Sequence, residues 1–451
     1  MKKFTRRDFL KDSGKAAAAV GLSSASLTAA SAASSKDANE RVNVALIGCG
    51  GRGRYVGYGM VKEGAHMAYL CDPHPARLKS GWDFVSRVQD EKPKMVKDMR
   101  KVFDDPDVDG VIIATPDHWH ALATVRACQA GKDVYVEKPH AHNLWESWKM
   151  MEAAEKYDRV VQVGVQNRSA PYVQAAKEYV DSGKLGGVPL VKVYNMKSGG
   201  RFTLGSAGQC PSGFDWDEWL GPTPERPYHE HIFRHGYRKY WTYCGGDLAG
   251  DGIHQLDLAM KLMGDPGVPK SVRCVGGRYA YPDDDAEVPD LQMASWDFGD
   301  FIMTGAETRY PRYMLKTTGT IRRNEEQPYW THNSTRVELY GSDLMMTIGR
   351  HGGGWIVQRS GGDVVKKVFG KVPDSPHYRN FLECIKSREA PNADIRIVHP
   401  SMACINMANV ALRAGNTALN YDAEAGSFHN DKADALIKRT YRPDYEVPER
   451  V

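Results

Sequence analysis

Past its first 32 residues the chain has no run approaching the roughly 20 apolar residues that would cross a bilayer. Its eight cysteines, Cys49, Cys71, Cys128, Cys210, Cys244, Cys274, Cys384 and Cys404, form no CxxC pair. Zinc-knuckle and dithiol redox motifs therefore have no support, and buried small hydrophobes are the simplest reading of these thiols. A surplus of one charge is missing too. Six basic residues stand before Ala33 against Asp8 and Asp12, and the remainder balances 54 basic with 54 acidic side chains. A neutral body lacks the basic face that phosphate-backbone binding needs, so nucleic acid is not an expected partner. No fixed-period similarity is visible, which argues against a repeat architecture. With 41% hydrophobic and 26% charged residues the composition is that of an ordinary globular protein, and 451 residues predict two folded domains behind a leader.

What is present begins with Thr5-Arg6-Arg7-Asp8-Phe9-Leu10-Lys11, followed by the alanine-rich run 16–30 and the small residues Ala30-Ser31-Ala32. The segment resembles a twin-arginine (Tat) signal, cleaved near Ala33. It implies passage of a folded protein through the Tat translocase to the periplasm or beyond, with no lipid anchor. Residues 1–32 are read as this signal and 33–40 as a polar linker.

A β-rich run, 42–47, leads at once into Gly48-Cys49-Gly50-Gly51-Arg52-Gly53, and a helix is expected over 54–63. This is the G-x-G-x-x-G turn in its proper context. Gly48 makes the turn, Gly50 admits a pyrophosphate, and Gly53 lets helix and strand close up. A second strand, 66–71, ends at Asp72, 24 residues after Gly48. A carboxylate there accepts hydrogen bonds from a ribose 2′-hydroxyl and repels a 2′-phosphate, which favours NAD over NADP; Arg77 nearby is the counter-argument. Expected strands 110–114, 133–136 and 160–165 alternate with helices 121–130 and 144–157. Their carboxyl ends deliver Thr115-Pro116-Asp117-His118-Trp119-His120, Glu137-Lys138-Pro139-His140 and Gln166-Asn167-Arg168. In a doubly wound parallel sheet the ligand lies at such ends, which makes 41–165 the dinucleotide-binding domain.

Gly48–Gly53, Thr115–His120 and Glu137-Lys138-Pro139 together resemble the Gfo/Idh/MocA oxidoreductases. Gly245-Gly246-Asp247-Leu248, Asp251-Gly252-Ile253-His254-Gln255-Leu256-Asp257 and Phe214–Pro222 extend the likeness over nearly the whole body. The resemblance implies an α/β protein: an N-terminal Rossmann sheet plus a C-terminal α/β domain, 166–451, with a large, mostly antiparallel open sheet. It also implies a carbohydrate substrate and a catalytic role for Lys138, whose cation suits developing alkoxide charge. His254 is the preferred acid/base, since imidazole titrates near neutrality. The family's usual Asp four residues before this His is Gly250 here, so Asp251, three before, is a catalytic candidate with a modified role. Asp257 reads as a residue orienting the turn.

Other cofactor contacts are expected from Gly51, Arg52, Thr115, Pro116, His118, His120, Glu137, Gln166 and Lys138, the last able to reach the nicotinamide ribose as well as the substrate hydroxyl. Substrate contacts are expected from His118, Trp119, Arg168, Tyr243, Asp251 and His254, although His118 and His120 could both be structural. Tyr228, Tyr240, Trp241 and Tyr243 suit stacking on a sugar ring or ordinary packing. His229, His231 and His235 lack a matching acidic motif, so no metal is assigned. From 190 onward strands are expected at 190–196, 293–298, 301–306, 336–340, 345–348 and 355–358, with one sheet face free for a homo-oligomer. Residues 212–243 read as a loop-rich insertion over the active site. Helices are expected at 253–263 and 399–413.

Three functions compete on these observations. One is an NAD-dependent oxidoreductase acting on a sugar hydroxyl. Another is a glycosidase that uses bound NAD for transient oxidation, elimination, water addition and re-reduction. The third is a non-catalytic sensor, which the presence of both Lys138 and His254 disfavours.

Overall fold

Alternating β-rich and helical segments from Asn43 onward build the first sheet. The computed structural model describes residues 41–451 except 324, 325 and 329, so the Tat-like segment and linker lie outside the described residues. Strands β1 (Asn43–Ile47), β2 (His66–Cys71), β3 (Lys94–Val96), β4 (Gly110–Ile113), β5 (Asp133–Val136) and β6 (Val161–Val163) are parallel, in the order β3-β2-β1-β4-β5-β6. Both β4 and β5 are buried along their whole length, as strands covered on both faces must be. Helices α1 (Gly51–Lys62), α2 (Pro75–Val85), α3 (His120–Gln129) and α4 (Leu144–Lys156) make the crossovers. The order reverses between β1 and β4, and that reversal opens a crevice at their carboxyl ends. Helix α1 starts at Gly51 rather than at Arg54, because the last glycines of the turn already form its first turn.

The second sheet has nine strands: β7 (Leu190–Met196), β8 (Ser271–Gly277), β9 (Leu291–Asp297), β10 (Ile302–Thr308), β11 (Thr335–Tyr340), β12 (Met345–Gly349), β13 (Trp355–Gln358), β14 (Val364–Val368) and β15 (Ala418–Asn420). Their order is β14-β13-β12-β11-β7-β10-β9-β8-β15, and only β7 and β10 pair in parallel. Alternate residues of β7, Val191 and Val193 among them, point into the core. Helices α5 (Pro171–Asp181), α6 (Ile253–Leu262), α7 (Asp374–Ser387) and α8 (Ile395–Arg413) complete the domain. The last of these is buried for most of its length and packs on α6, α4 and β8, joining the two sheets. It begins four residues before the expected His399, because Asp394 caps it through the Arg396 N–H, and Pro400 is accommodated inside it. No helix among the described residues is long and apolar enough to cross a membrane.

Candidate active site

The glycine turn is built as its spacing requires. Gly48 has φ +93°, and a β-carbon there would lie 2.7 Å from the Ala114 carbonyl. A β-carbon on Gly53 would meet the Gly48 carbonyl oxygen at 1.9 Å, whereas one on Gly51 would project into open space. That space, at the N-terminus of α1, is where a pyrophosphate fits. Gly53→Ala is expected to force the turn and α1 apart. NAD affinity should fall at least about tenfold, readable by fluorescence titration against the wild type.

Gly48, Gly50, Gly51, Arg52, Asp72, Thr115, Pro116, Glu137 and Lys138 all line one cleft of about 390 Å³. Asp72 accepts from the Cys49 and His74 N–H groups, each at 2.9 Å. Burial raises its pKa to about 6 against these bonds and the nearby Arg77. Ribose hydroxyls would donate to the ionised carboxylate, so bound NAD favours the charged form. Affinity should therefore be full above pH 6 and fall as pH drops through it, to about tenfold weaker at pH 5. Titration of the NAD dissociation constant from pH 5 to 8 checks this, and Asp72→Asn should flatten the profile.

The opposite wall comes from the expected insertion. Its short helices, Trp216–Leu220 and Glu230–Arg234, enclose a small aromatic core of Phe214, Trp219, Tyr228, Tyr237, Tyr240 and Tyr243. From it Glu218, Trp219, Phe233, Tyr237 and Arg238 line the cleft. The insertion docks on the loop after β2, on α2 and on the end of β3: Phe233 stacks on His74 at 5.1 Å, the Arg77 guanidinium lies 5.2 Å over Phe233, and Lys97 donates to the Gly213 carbonyl at 2.7 Å.

At the floor, Glu137 pairs with Arg52 at 2.8 Å and Lys138 Nζ donates to the Gly250 carbonyl at 2.5 Å. Burial lowers the Lys138 pKa to about 8, with Asp251 and Glu137 opposing. Lys138 thus joins the Rossmann cleft to the turn before α6, an irregular wide turn over Leu248–Gly252. Burial would raise Asp251, but Arg350 at 2.6 Å, Lys197 at 3.3 Å, Lys316 and Lys138 overcome it and hold it ionised well below the usual carboxylate range. With both oxygens committed to cations, Asp251 is a fixed charge rather than a proton acceptor, and this corrects its candidacy as a reacting group. His254 is buried, its ring 4.2 Å from that of His351. Burial, Arg350, His351 and Lys138 push its imidazole well below its ordinary pKa, so it stands neutral, with Nδ1 unpaired. Asp251 and His254 are outside the cleft lining, and the turn that carries Asp251 meets the cleft where Lys138 donates to the Gly250 carbonyl.

Several expected contacts are elsewhere. Arg168 does not reach the cleft: its buried guanidinium pairs with Asp257 at 2.8 Å and Asp265 at 2.7 Å, spending its donors. Asp257 is the other half of that pair and also accepts from Ser401. His118 and Tyr243 are likewise withdrawn. The His118 ring sits 5.3 Å from both Trp219 and Tyr243, with Nε2 on the Trp219 carbonyl at 3.0 Å, which anchors the insertion. Trp119 borders the cleft but donates Nε1 to the Glu218 and Trp219 carbonyls. His120 lines the cleft and faces the Pro139 and Thr115 carbonyls at 2.7 and 2.9 Å, tying two strand ends together. Gln166 is buried and donates to the Tyr135 hydroxyl, itself 3.4 Å from Glu137, so it supports the cleft from behind. His229 and His231 face the Gly205 and Thr203 carbonyls. The counter-cations of Asp251 went unread in the sequence. Only Arg350 had a local signal, the turn-forming His351-Gly352-Gly353-Gly354 that follows it, each residue at positive φ.

A glycine-turn crevice on a parallel sheet, floored by a lysine that touches a second α/β domain, defines a nicotinamide-dependent oxidoreductase. Residues 42–165 match the oxidoreductase family with an NAD-binding Rossmann fold, and residues 170–315 and 350–447 match its C-terminal alpha/beta domain. The chain belongs to the Gfo/Idh/MocA oxidoreductase family. It is 32% identical over 393 residues to the scyllo-inositol 2-dehydrogenase (NAD(+)) of Bacillus subtilis, covering 84% of this chain and 95% of that protein. It is 31% identical over 171 residues to a glycosyl hydrolase family 109 protein of Shewanella pealeana, a match covering 34% of this chain and only 38% of that relative. In fold it is similar to a levoglucosan dehydrogenase solved with NADH and levoglucosan, with a TM-score of 0.62 at 17% identity over 84% of this chain and 99% of that one.

Proposed function

We propose that this enzyme interconverts a hydroxyl and a carbonyl on a sugar or sugar derivative with NAD. The observation that carries this is Lys138, reaching from the dinucleotide cleft to the Gly250–His254 turn. NAD, when bound, supplies the hydride acceptor. Lys138 holds the hydroxyl oxygen and stabilises its developing negative charge, and neutral His254 takes the proton as the carbonyl forms. Asp251 keeps the cations around it ordered. The matches to an inositol dehydrogenase and a levoglucosan dehydrogenase support a polyhydroxylated ring as substrate. The test incubates purified protein with free sugars, cyclitols and NAD while following NADH absorbance. No absorbance change across the panel, with NAD bound, would remove this reading.

A glycosidase using bound NAD is the second reading, favoured by the insertion wall beside the dinucleotide cleft and by the partial match to the family 109 protein. Release of aglycone from aryl glycosides without net NADH would establish it in place of the first. Two further proposals concern the protein's surroundings. The Arg6-Arg7 motif supports Tat export to the periplasm, and fractionation of wild type against a variant carrying Arg6→Lys with Arg7→Lys tests it. Exposed Val275, Met293 and Ile302 on the open face of the second sheet support a homo-oligomer, tested by light scattering.

A further inference from the structure

A second cavity, of about 340 Å³, shares no lining residue with the dinucleotide cleft. One wall is α8, where Asn406, Asn409 and Arg413 fall three and four residues apart on a single helical face. A polar stripe on a helix otherwise buried in apolar surroundings is costly unless its groups find partners. Asn409 is satisfied by the Gly245 carbonyl and Gln292. Asn406, 3% exposed, leaves its Nδ2 without a partner. In the same lining, Arg439 uses Nε on Glu146 and Nη2 on the His118 carbonyl, and its buried Nη1 is unpaired. The Arg413 guanidinium lies 5.2 Å over the Trp241 ring, also in the lining. His142 donates Nε2 to the Trp241 carbonyl at 2.7 Å, leaving Nδ1 a buried acceptor.

The charges select a ligand class. Arg413, Lys438 and Arg439 line the cavity and no acidic residue does. Glu146 and Glu449 pair with Arg439 and Lys438, so Arg413 stands outside the ion pairs found among the described residues, with Glu287 acting on it only at longer range. One guanidinium, two orphaned N–H donors and a flat indole match a carboxylate on a hydroxylated body, with the His142 acceptor left for a hydroxyl. We infer that this cavity is a second binding site, separate from the active site, for a small hydroxylated carboxylate such as a sugar acid. The segment that walls it, Trp241–Gly245, follows Phe233–Arg238 of the cleft wall after a few residues, so an occupant would bear on the same insertion.

Calorimetric titration of the NAD-loaded full chain with D-glucuronate tests the inference, with D-glucose and inorganic phosphate as parallel probes. Glucuronate should bind, and Arg413→Ala and Asn406→Leu should each weaken it at least about tenfold. Lys138→Ala should bind it as the wild type does, which separates this site from the catalytic cleft. Arg413 is at the surface, and NAD titration of its variant serves as the folding control. No binding at millimolar glucuronate, binding lost in Lys138→Ala but retained in Arg413→Ala, or phosphate bound in preference to glucuronate would each overturn the assignment.

Discussion

Lys138→Ala is expected to lower kcat/KM by about a thousandfold while NAD stays bound, the range that loss of a positioned acid or oxyanion-stabilising cation produces. The glycine turn and Asp72, the groups expected to hold the nucleotide, make no contact that needs the lysine. Asp251 keeps Arg350, Lys197 and Lys316 when Lys138 is removed, so no unpaired buried charge is created. The wild-type pH profile supplies an independent check. With a pKa of about 8, Lys138 is cationic below that pH, and a rate that needs the cation is complete there and declines as pH rises through it. The decline should vanish in the variant. Lys138→Arg is not expected to rescue, because a planar fork cannot replace a point charge against the Gly250 carbonyl. Turnover like that of the wild type in Lys138→Ala would remove the residue from the chemistry.

Arg168→Ala is the second large effect, and it falls on stability. The Arg168 side chain is 1% exposed and that of Asp257 not at all. Deleting one partner strands the other charge in the core, at a cost of about 3–5 kcal/mol. Urea denaturation should show a lower midpoint, and where the variant is folded its KM should stay near the wild-type value. The double variant Arg168→Met with Asp257→Leu should recover much of the loss, since apolar groups of similar volume tolerate burial. A raised KM with unchanged stability would return Arg168 to the substrate site.

The contrast between these residues shows what was legible in the sequence. The glycine turn, Asp72 and Lys138 each sit at the end of a strand whose apolar run is visible, so topology alone sends them to one cleft. His254 was singled out because its neighbours form a local motif, and the structure buries it outside the cleft lining. Arg168 stands at a strand end too, yet its partners are 89 and 97 residues away, and no pattern in one chain announces a pairing at that range. Lys197, Lys316 and Arg350 were hidden for the same reason, since they meet Asp251 only after the second sheet has formed. Strand β3 was missed because three residues, Lys94-Met95-Val96, are too short to show alternation. Tyr243 illustrates the remaining ambiguity: an aromatic suited to stacking on a ring looks the same in sequence as one buried in a small core.

The insertion that forms one side of the dinucleotide cleft also bears on kinetics. Its docking through His74, Arg77 and Lys97 sets part of the chain against that side, so a nucleotide could leave by that route only when those contacts loosen, and its exchange rate would report on the insertion rather than on the chemistry at Lys138.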